Sequence, residues 1–376
     1  MRIAVNTRLL LKDRLDGIGW FTFETLRRIT VAHPEHEFLF FFDRKPSPEF
    51  IFSDNVKQVV LFPPTRHPVL WYLFFEFSVP RAIRKYKIDV FLSPDGWIPL
   101  HCKVPTLDVI HDLNFEHCPG FLKSSHQRYF KRYFPKYARN ATRIATVSEF
   151  SKKDIADTYG VPLSKIDVVY DGASSHYHPY PYEVKQSVRD KYTKGCPYYI
   201  FIGTILKRKN LDTLFVAFDL FKEQDTANTK LLVVGSRKWW KGDIENAYLA
   251  MHHKNDVVFV GRIENEELGK MLSAATALVY VSYFEGFGIP ILEAFCADTP
   301  VLASNVTSLP EIAGDAALLV NPHSAAEIAE ALSLLAIDKK LCEDLVEKGR
   351  EQRKKFSWDL TADLLWDCLI KTVDAR

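Results

Sequence analysis

Short apolar runs recur along the chain, separated by longer stretches in which apolar residues return at helical spacing. This alternation predicts parallel strands joined by crossover helices. In the first half the predicted strands are Arg2–Asn6, Glu37–Phe42, Gln58–Phe62, Asp89–Ser93, Thr106–Ile110, Arg143–Val147 and Ile166–Val169. A Tyr/His/Pro-rich segment, Ser174–Tyr182, interrupts the pattern. It then restarts with Tyr198–Gly203, Lys230–Gly235, Val257–Val260, Ala277–Val281, Val301–Ala303 and Ala317–Val320. The restart predicts an α/β protein of two doubly wound units in tandem. Ligands in such folds sit outside the carboxyl ends of the strands, and two units facing each other would enclose a cleft. We place the domains at residues 1–180 and 181–355, with the linker in Ser174–Cys196. A terminal helix over residues 356–376 opens at Phe356-Ser357-Trp358-Asp359, with Ser357 as its cap.

A length of 376 residues suits two or three domains, and 47% hydrophobic with 26% charged residues is ordinary for a globular protein. No apolar run approaches the ~20 residues that span a bilayer, and Met1-Arg2-Ile3-Ala4-Val5 begins directly as a strand. The expectation is a cytoplasmic protein without a signal peptide. The six cysteines are scattered without paired spacing, which suggests neither a zinc site nor a disulfide framework. Residues 1–187 hold 26 Lys/Arg and 20 Asp/Glu, so the first half is +6 and the remainder −4. A basic half can meet anionic substrates, lipid head groups or nucleic acid.

Candidate chemistry is densest at Glu285-Gly286-Phe287-Gly288-Ile289-Pro290-Ile291-Leu292-Glu293. Pro290 suits a first helical position, which would leave Glu285 on the loop and Glu293 in the first turn. Flexible glycines and a helix N-terminus expose N–H groups to a phosphate. Carboxylates grip vicinal hydroxyls, so Glu285 would suit a hexose and Glu293 a ribose. Acidic decoration of a helix start explains Glu293 alone, but not Glu285 with both glycines.

A second group, Gly203-Thr204-Ile205-Leu206-Lys207-Arg208-Lys209-Asn210, puts three cations where a strand gives way to a helix. It reads as a diphosphate clamp or as a solvated basic turn. Asn6-Thr7-Arg8 with Asp16-Gly17-Ile18-Gly19-Trp20 predicts a glycine-bearing loop after the first strand, able to approach an anion. His111 of Val109-Ile110-His111-Asp112-Leu113 falls at a strand's carboxyl end, a favoured address for a site residue. Ser148 and Ser151 read as a helix cap. The aromatic stripe Tyr129, Phe130, Tyr133, Phe134, Tyr137 reads as core beneath solvated cations. Val69–Phe75, followed by Arg81, Arg84, Lys85 and Lys87, reads as an interfacial anchor or an acceptor surface.

Tyr283-Phe284-Glu285-Gly286-Phe287-Gly288 through Glu293, then Pro300-Val301-Leu302-Ala303-Ser304 and Pro310-Glu311-Ile312, resembles the donor-site signature of retaining GT-B glycosyltransferases of family four. The resemblance implies two Rossmann-like domains facing a cleft, and a terminal helix crossing back to the first domain. It implies that Glu285 contacts the donor sugar, Glu293 the ribose, and Arg208 and Lys209 the phosphates. Gly203, Gly286, Phe287, Gly288 and Ile289 complete the donor site. Thr204 stands near the place where some members carry a further Arg. Gly17 and Gly19 match a glycine-rich first loop, and His111 matches a histidine near the sugar in mannosyltransferase-like members, with Asp112 orienting it. Val147-Ser148-Glu149-Phe150-Ser151 and Val168-Val169-Tyr170-Asp171-Gly172 resemble two further elements of the family.

The activity so implied is retaining transfer of a hexose from a nucleotide diphosphate sugar, GDP-mannose by preference, to a saccharide or lipid-linked acceptor in polysaccharide assembly. No Asp-x-Asp occurs, so metal-independent chemistry with no cofactor is expected. Peripheral membrane contact is an open expectation, and nucleic acid is not an expected partner. The competing readings are another GT-B sugar-nucleotide enzyme, such as an epimerase or phosphorylase, and a non-catalytic nucleotide-sugar-binding subunit.

Overall fold

The computed structural model describes residues 1–12, 15–118, 123–237, 240 and 242–375. The chain divides into two compact units, Met1–Asp171 with Trp358–Arg376, and Gly172–Ser357. These divisions fall at 171/172 and 357/358, where the sequence placed 180/181 and 355/356.

In the first unit the strands are β1 (Arg2–Asn6), β2 (Glu37–Phe42), β3 (Val56–Val60), β4 (Val90–Ser93), β5 (Thr106–Val109), β6 (Arg143–Thr146) and β7 (Ile166–Val168). They form one parallel sheet in the order β3-β2-β1-β4-β5-β6-β7. Strands this continuously apolar, such as Phe38 to Phe42, belong to sheets covered on both faces. One face packs Phe41, Phe91 and Ile144 against Trp71, Trp97, Phe134 and Tyr137. The other packs Val5, Phe40 and Leu92 against Phe21, Leu26, Trp358 and Leu365. Hence the terminal helix Trp358–Asp374 supplies core to the first unit, beside the helix Gly17–Ala32.

The predicted strand Gln58–Phe62 is displaced to Val56–Val60. Its register with β2 ends at the pair Phe42 and Val60, and only the Leu61 N–H still reaches the Phe42 carbonyl, at 2.8 Å. Pro63 and Pro64 then have no N–H with which to continue a ladder.

The second unit contains β8 (Tyr198–Ile202), β9 (Lys230–Val234), β10 (Val257–Gly261), β11 (Ala277–Tyr280), β12 (Val301–Ser304) and β13 (Leu318–Val320). These are also parallel, in the order β10-β9-β8-β11-β12-β13. Each sheet therefore reverses its winding once, between β1 and β4 and between β8 and β11. The crevice outside the carboxyl ends at such a reversal is where open α/β sheets bind ligands.

Candidate functional site

Two loops meet at the reversal of the second sheet. The one after β8 runs through Gly203 and Thr204, which is exposed, into a 3₁₀ turn at Lys207–Lys209. Asn210, in the left-handed region at φ 60°, closes that turn. Its Nδ2 donates to the carbonyls of Val281 at 2.9 Å and Pro322 at 2.6 Å, while the Tyr283 N–H donates to the Arg208 carbonyl at 2.8 Å. These bonds tie the β8 loop to the one after β11, bringing residues remote in sequence into contact.

The contact is an ion cluster. Glu285 Oε2 lies 2.8 Å from Arg208 Nη1, and Oε1 lies 2.6 Å from Lys209 Nζ. Arg208 also donates to the Phe284 carbonyl at 2.9 Å. Lys209 Nζ donates to the Tyr280 hydroxyl at 2.6 Å and sits 4.7 Å from that ring's centroid. Burial pushes the Glu285 carboxyl upward, but Arg208 and then Lys209 outweigh it and hold its pKa at about 2. Glu285 is thus ionised at neutral pH beside the positive charge of Arg208 and Lys209. An incoming diphosphate would find that charge held in place. Lys207, the third cation of the expected clamp, is not part of this cluster: it pairs with Asp243 at 2.5 Å on the surface.

Residues 285–293 are held from below by Ser308. Its buried hydroxyl lies 2.9 Å from both the Glu285 and Phe287 carbonyls. The Phe287 ring is buried, edge-on to Phe356 at 5.7 Å. Gly286 is buried in the loop, and Gly288 caps the helix Ile289–Cys296 at φ 110°, where a Cβ would stand 2.7 Å from Leu309 Cδ2. Only glycine fits that conformation and that approach. Pro290 is the second helical residue rather than the first, because Ile289 already has helical geometry. Glu293 accordingly sits in the second turn, not in the first. Burial raises its carboxyl to about 7, although a hydrogen bond from Tyr177 acts in the opposite direction.

The first unit presents its own group at the β1/β4 reversal. His111 follows β5, and its Nε2 lies 2.8 Å from the Pro94 carbonyl. A carbonyl only accepts, so Nε2 carries the proton and Nδ1 is left with a lone pair in the neutral ring. Burial lowers the imidazole pKa, which favours that neutral form. Phe21 packs against the ring at 4.9 Å. No hydrogen bond joins Asp112 to the imidazole among the described residues; its Oδ1 caps Asn114 at 2.9 Å, and its charge acts on the ring from there. Beside His111, Arg8 pairs with Asp95 at 2.6 Å.

Gly17 and Gly19 also differ from expectation. They are the first and third residues of the helix Gly17–Ala32, not members of a loop. The Gly19 N–H is taken by Asp16 Oδ1 at 3.0 Å, and a Cβ there would stand 3.2 Å from the Leu9 carbonyl oxygen. The missing Cβ at Gly19 thus permits close packing against that carbonyl.

The aromatic stripe lies where its spacing placed it, in the helix Ser124–Asn140 with Tyr129, Phe134 and Tyr137 buried. Trp71, Phe74 and Phe75 are core, whereas Phe62, Val69, Tyr72, Leu73 and Phe77 are exposed. Four contributors to these sites went unread in the sequence. Tyr280 and Ser308 look like ordinary core, and Tyr177 lies in a segment read as linker. Asp95 shows no relation to Arg8, 87 residues away.

Two parallel sheets with matched reversals, and a cation–carboxylate cluster on the glycine loop of the second, define a glycosyltransferase of the GT-B fold. The chain belongs to that class: residues 16–175 match Glycosyltransferase Family 4, and residues 185–352 match Glycosyl transferases group 1. It is 29% identical over 378 residues to O-antigen chain mannosyltransferase B of Escherichia coli, covering 97% of each chain. Among solved structures it is similar to sucrose-phosphate synthase from Thermosynechococcus elongatus, with TM-score 0.80, 20% identity and full coverage of both chains. HepE of Anabaena, solved in complex with UDP and glucose, gives TM-score 0.75 and 14% identity over 99% of this chain and 100% of that one. Among the described residues no helix is long and apolar enough to cross a membrane.

Proposed function

We propose that the protein transfers mannose, with retention of anomeric configuration, from a nucleotide diphosphate sugar to a saccharide or lipid-linked saccharide hydroxyl in cell-surface polysaccharide assembly. The observation that carries this reading is the Arg208–Glu285–Lys209 cluster at the sheet reversal. The relative that spans 97% of both chains is named a mannosyltransferase, which favours mannose, and GDP-mannose is the first donor to test.

As the bond from the sugar C1 to the diphosphate oxygen breaks, negative charge grows on the leaving group. Arg208 and Lys209 meet that charge, which is electrostatic stabilisation with no reorganisation at the moment of reaction. Glu285, anchored by both cations, orients the sugar, and Glu293 accepts from the ribose hydroxyls. His111 offers Nδ1 to a sugar hydroxyl. The acceptor oxygen bonds to C1 on the face the diphosphate leaves, and its proton passes to a phosphate oxygen of the leaving group. The reaction uses no metal in this account, and EDTA leaves the rate unchanged.

The exposed Phe62, Val69, Tyr72, Leu73 and Phe77, close in sequence to Arg81, Arg84, Lys85 and Lys87, support peripheral contact with an anionic membrane, where a lipid-linked acceptor would be found. Flotation with phosphatidylglycerol vesicles checks that part.

The transfer itself is tested by incubating the protein with GDP-mannose and a mannose-terminated oligosaccharide, reading the product by NMR. An α-linked mannosyl product with release of GDP is expected. Hydrolysis alone, epimerised donor, or a requirement for inorganic phosphate would replace this reading.

A further inference from the structure

At the carboxyl end of β1, Arg8 is 8% exposed, and three neighbours fix its plane. Its Nε donates to Asp95 Oδ2 at 2.6 Å. Its guanidinium carbon lies 4.5 Å from the Trp97 ring centroid and 5.5 Å from that of Phe75. Asp95 is itself pinned, since Oδ1 accepts from Asn6 Nδ2 at 2.7 Å and from Ser93 Oγ at 3.2 Å. Among the described residues no acceptor meets either Nη of Arg8.

That combination is unusual for a structural ion pair. A buried guanidinium normally has its donors satisfied, because each unpaired polar group costs free energy. Here the carboxylate engages only Nε; the two Nη groups, with four N–H between them, meet no acceptor of the described chain and are not among its fully buried unpaired atoms, so they face solvent where an anion can reach them. Two Nη groups in a fixed fork match two oxygens of a phosphoryl group, and the rings of Trp97 and Phe75 pack against the guanidinium. The position is also a ligand address, the reversal point of the first sheet. His111 is adjacent through Pro94, the residue before Asp95.

We propose that Arg8 is an oxyanion-binding residue that holds a phosphoryl group of a substrate, either the donor diphosphate or a phosphate on the acceptor. The choice of substrates rests on the transferase reading above, whereas the anion site does not.

The test compares wild type with Arg8→Lys, which keeps the charge beside Asp95 but removes the fork. Transfer is measured to one oligosaccharide carrying either a phosphate or an uncharged aglycone. If the acceptor supplies the anion, the preference for the phosphorylated acceptor falls about tenfold, through KM, and donor KM is unmoved. If the donor supplies it, donor KM rises about tenfold and the acceptor preference stays constant. Unchanged donor KM together with unchanged acceptor preference overturns the proposal. Should Arg8→Lys fail to fold, the double variant Arg8→Met/Asp95→Asn, which removes the fork together with the charge it pairs with, is read by the same two ratios and decided in the same way.

A titration that needs no turnover separates this inference from the transferase reading. In a Lys209→Gln background, calorimetry with inorganic pyrophosphate shows binding that Arg8→Lys weakens at least fivefold. Pyrophosphate affinity indifferent to Arg8 refutes the site. Absence of transfer from every sugar nucleotide, with Arg8-dependent binding intact, refutes only the transferase reading.

Discussion

Glu285→Gln removes the negative charge between buried Lys209 and half-buried Arg208 while keeping the side chain's shape. In the native protein the carboxyl is held at about 2 against an ordinary 4.5. A difference of about 2.5 units, at 1.36 kcal/mol each, makes the ionised carboxylate worth roughly 3 kcal/mol of stability at pH 7. The pKa is depressed on folding, so this contribution is fully present above about pH 4.5 and is lost as pH falls towards 2. By pH 3 about 2 kcal/mol of it has gone, because the unfolded chain is then mostly protonated and the native cluster is not. Urea denaturation of the wild type and Glu285→Gln, followed at pH 7 and pH 3, reads both quantities. The variant is expected to be about 3 kcal/mol less stable at pH 7 and only about 1 kcal/mol less stable at pH 3. A deficit that is the same at both pH values would refute the argument, since loss of packing does not titrate. The variant also collapses transfer, because Arg208 and Lys209 lose the group that positions them.

Glu293 carries the opposite sign. Its carboxyl is raised to about 7, so the folded state takes up a proton and stability falls as pH rises from about 4.5 through 7. Glu293→Gln therefore gains on the wild type between pH 5 and pH 8, by about 1.5 kcal/mol after allowance for its partial exposure, as read from urea midpoints. The same variant raises the KM for the donor with little change in pyrophosphate affinity, separating ribose from phosphate contacts. Gly288→Ala forces an L side chain to φ 110° and sets a Cβ 2.7 Å from Leu309 Cδ2. It is expected to cost about 2 kcal/mol in denaturation and to raise donor KM, because the loop carrying Glu285 has to shift.

Much of the fold was legible because a parallel sheet covered on both faces requires nearly continuous apolar runs, and Glu37–Phe42 or Tyr198–Ile202 can hardly be read otherwise. Strand ends were less legible, as at β3, where the partner strand and two prolines decide the end rather than the apolar pattern. Glu285, Arg208 and Lys209 stood out by type and by neighbouring glycines, yet their mutual pairing did not. It depends on β8 and β11 lying side by side, a property of strand order that no local pattern displays. Lys207 shows the same limit: it shares the sequence context of Lys209 but turns to Asp243 instead. Tyr280 carries a strand residue's apolar ring, and its contact with Lys209, through hydroxyl and ring face, gives it a part in the site.

In the function proposed above, the second unit binds a nucleotide diphosphate sugar through Arg208, Lys209, Glu285 and Glu293. This binding is tested most directly by thermal melting of the full chain against a panel of UDP-, GDP-, ADP- and dTDP-sugars. At a hundred times its dissociation constant the true donor stabilises the protein by roughly 2.7 kcal/mol, and the account predicts a matching rise in melting temperature that Lys209→Gln abolishes. A panel in which no sugar nucleotide shifts the wild-type transition would contradict it.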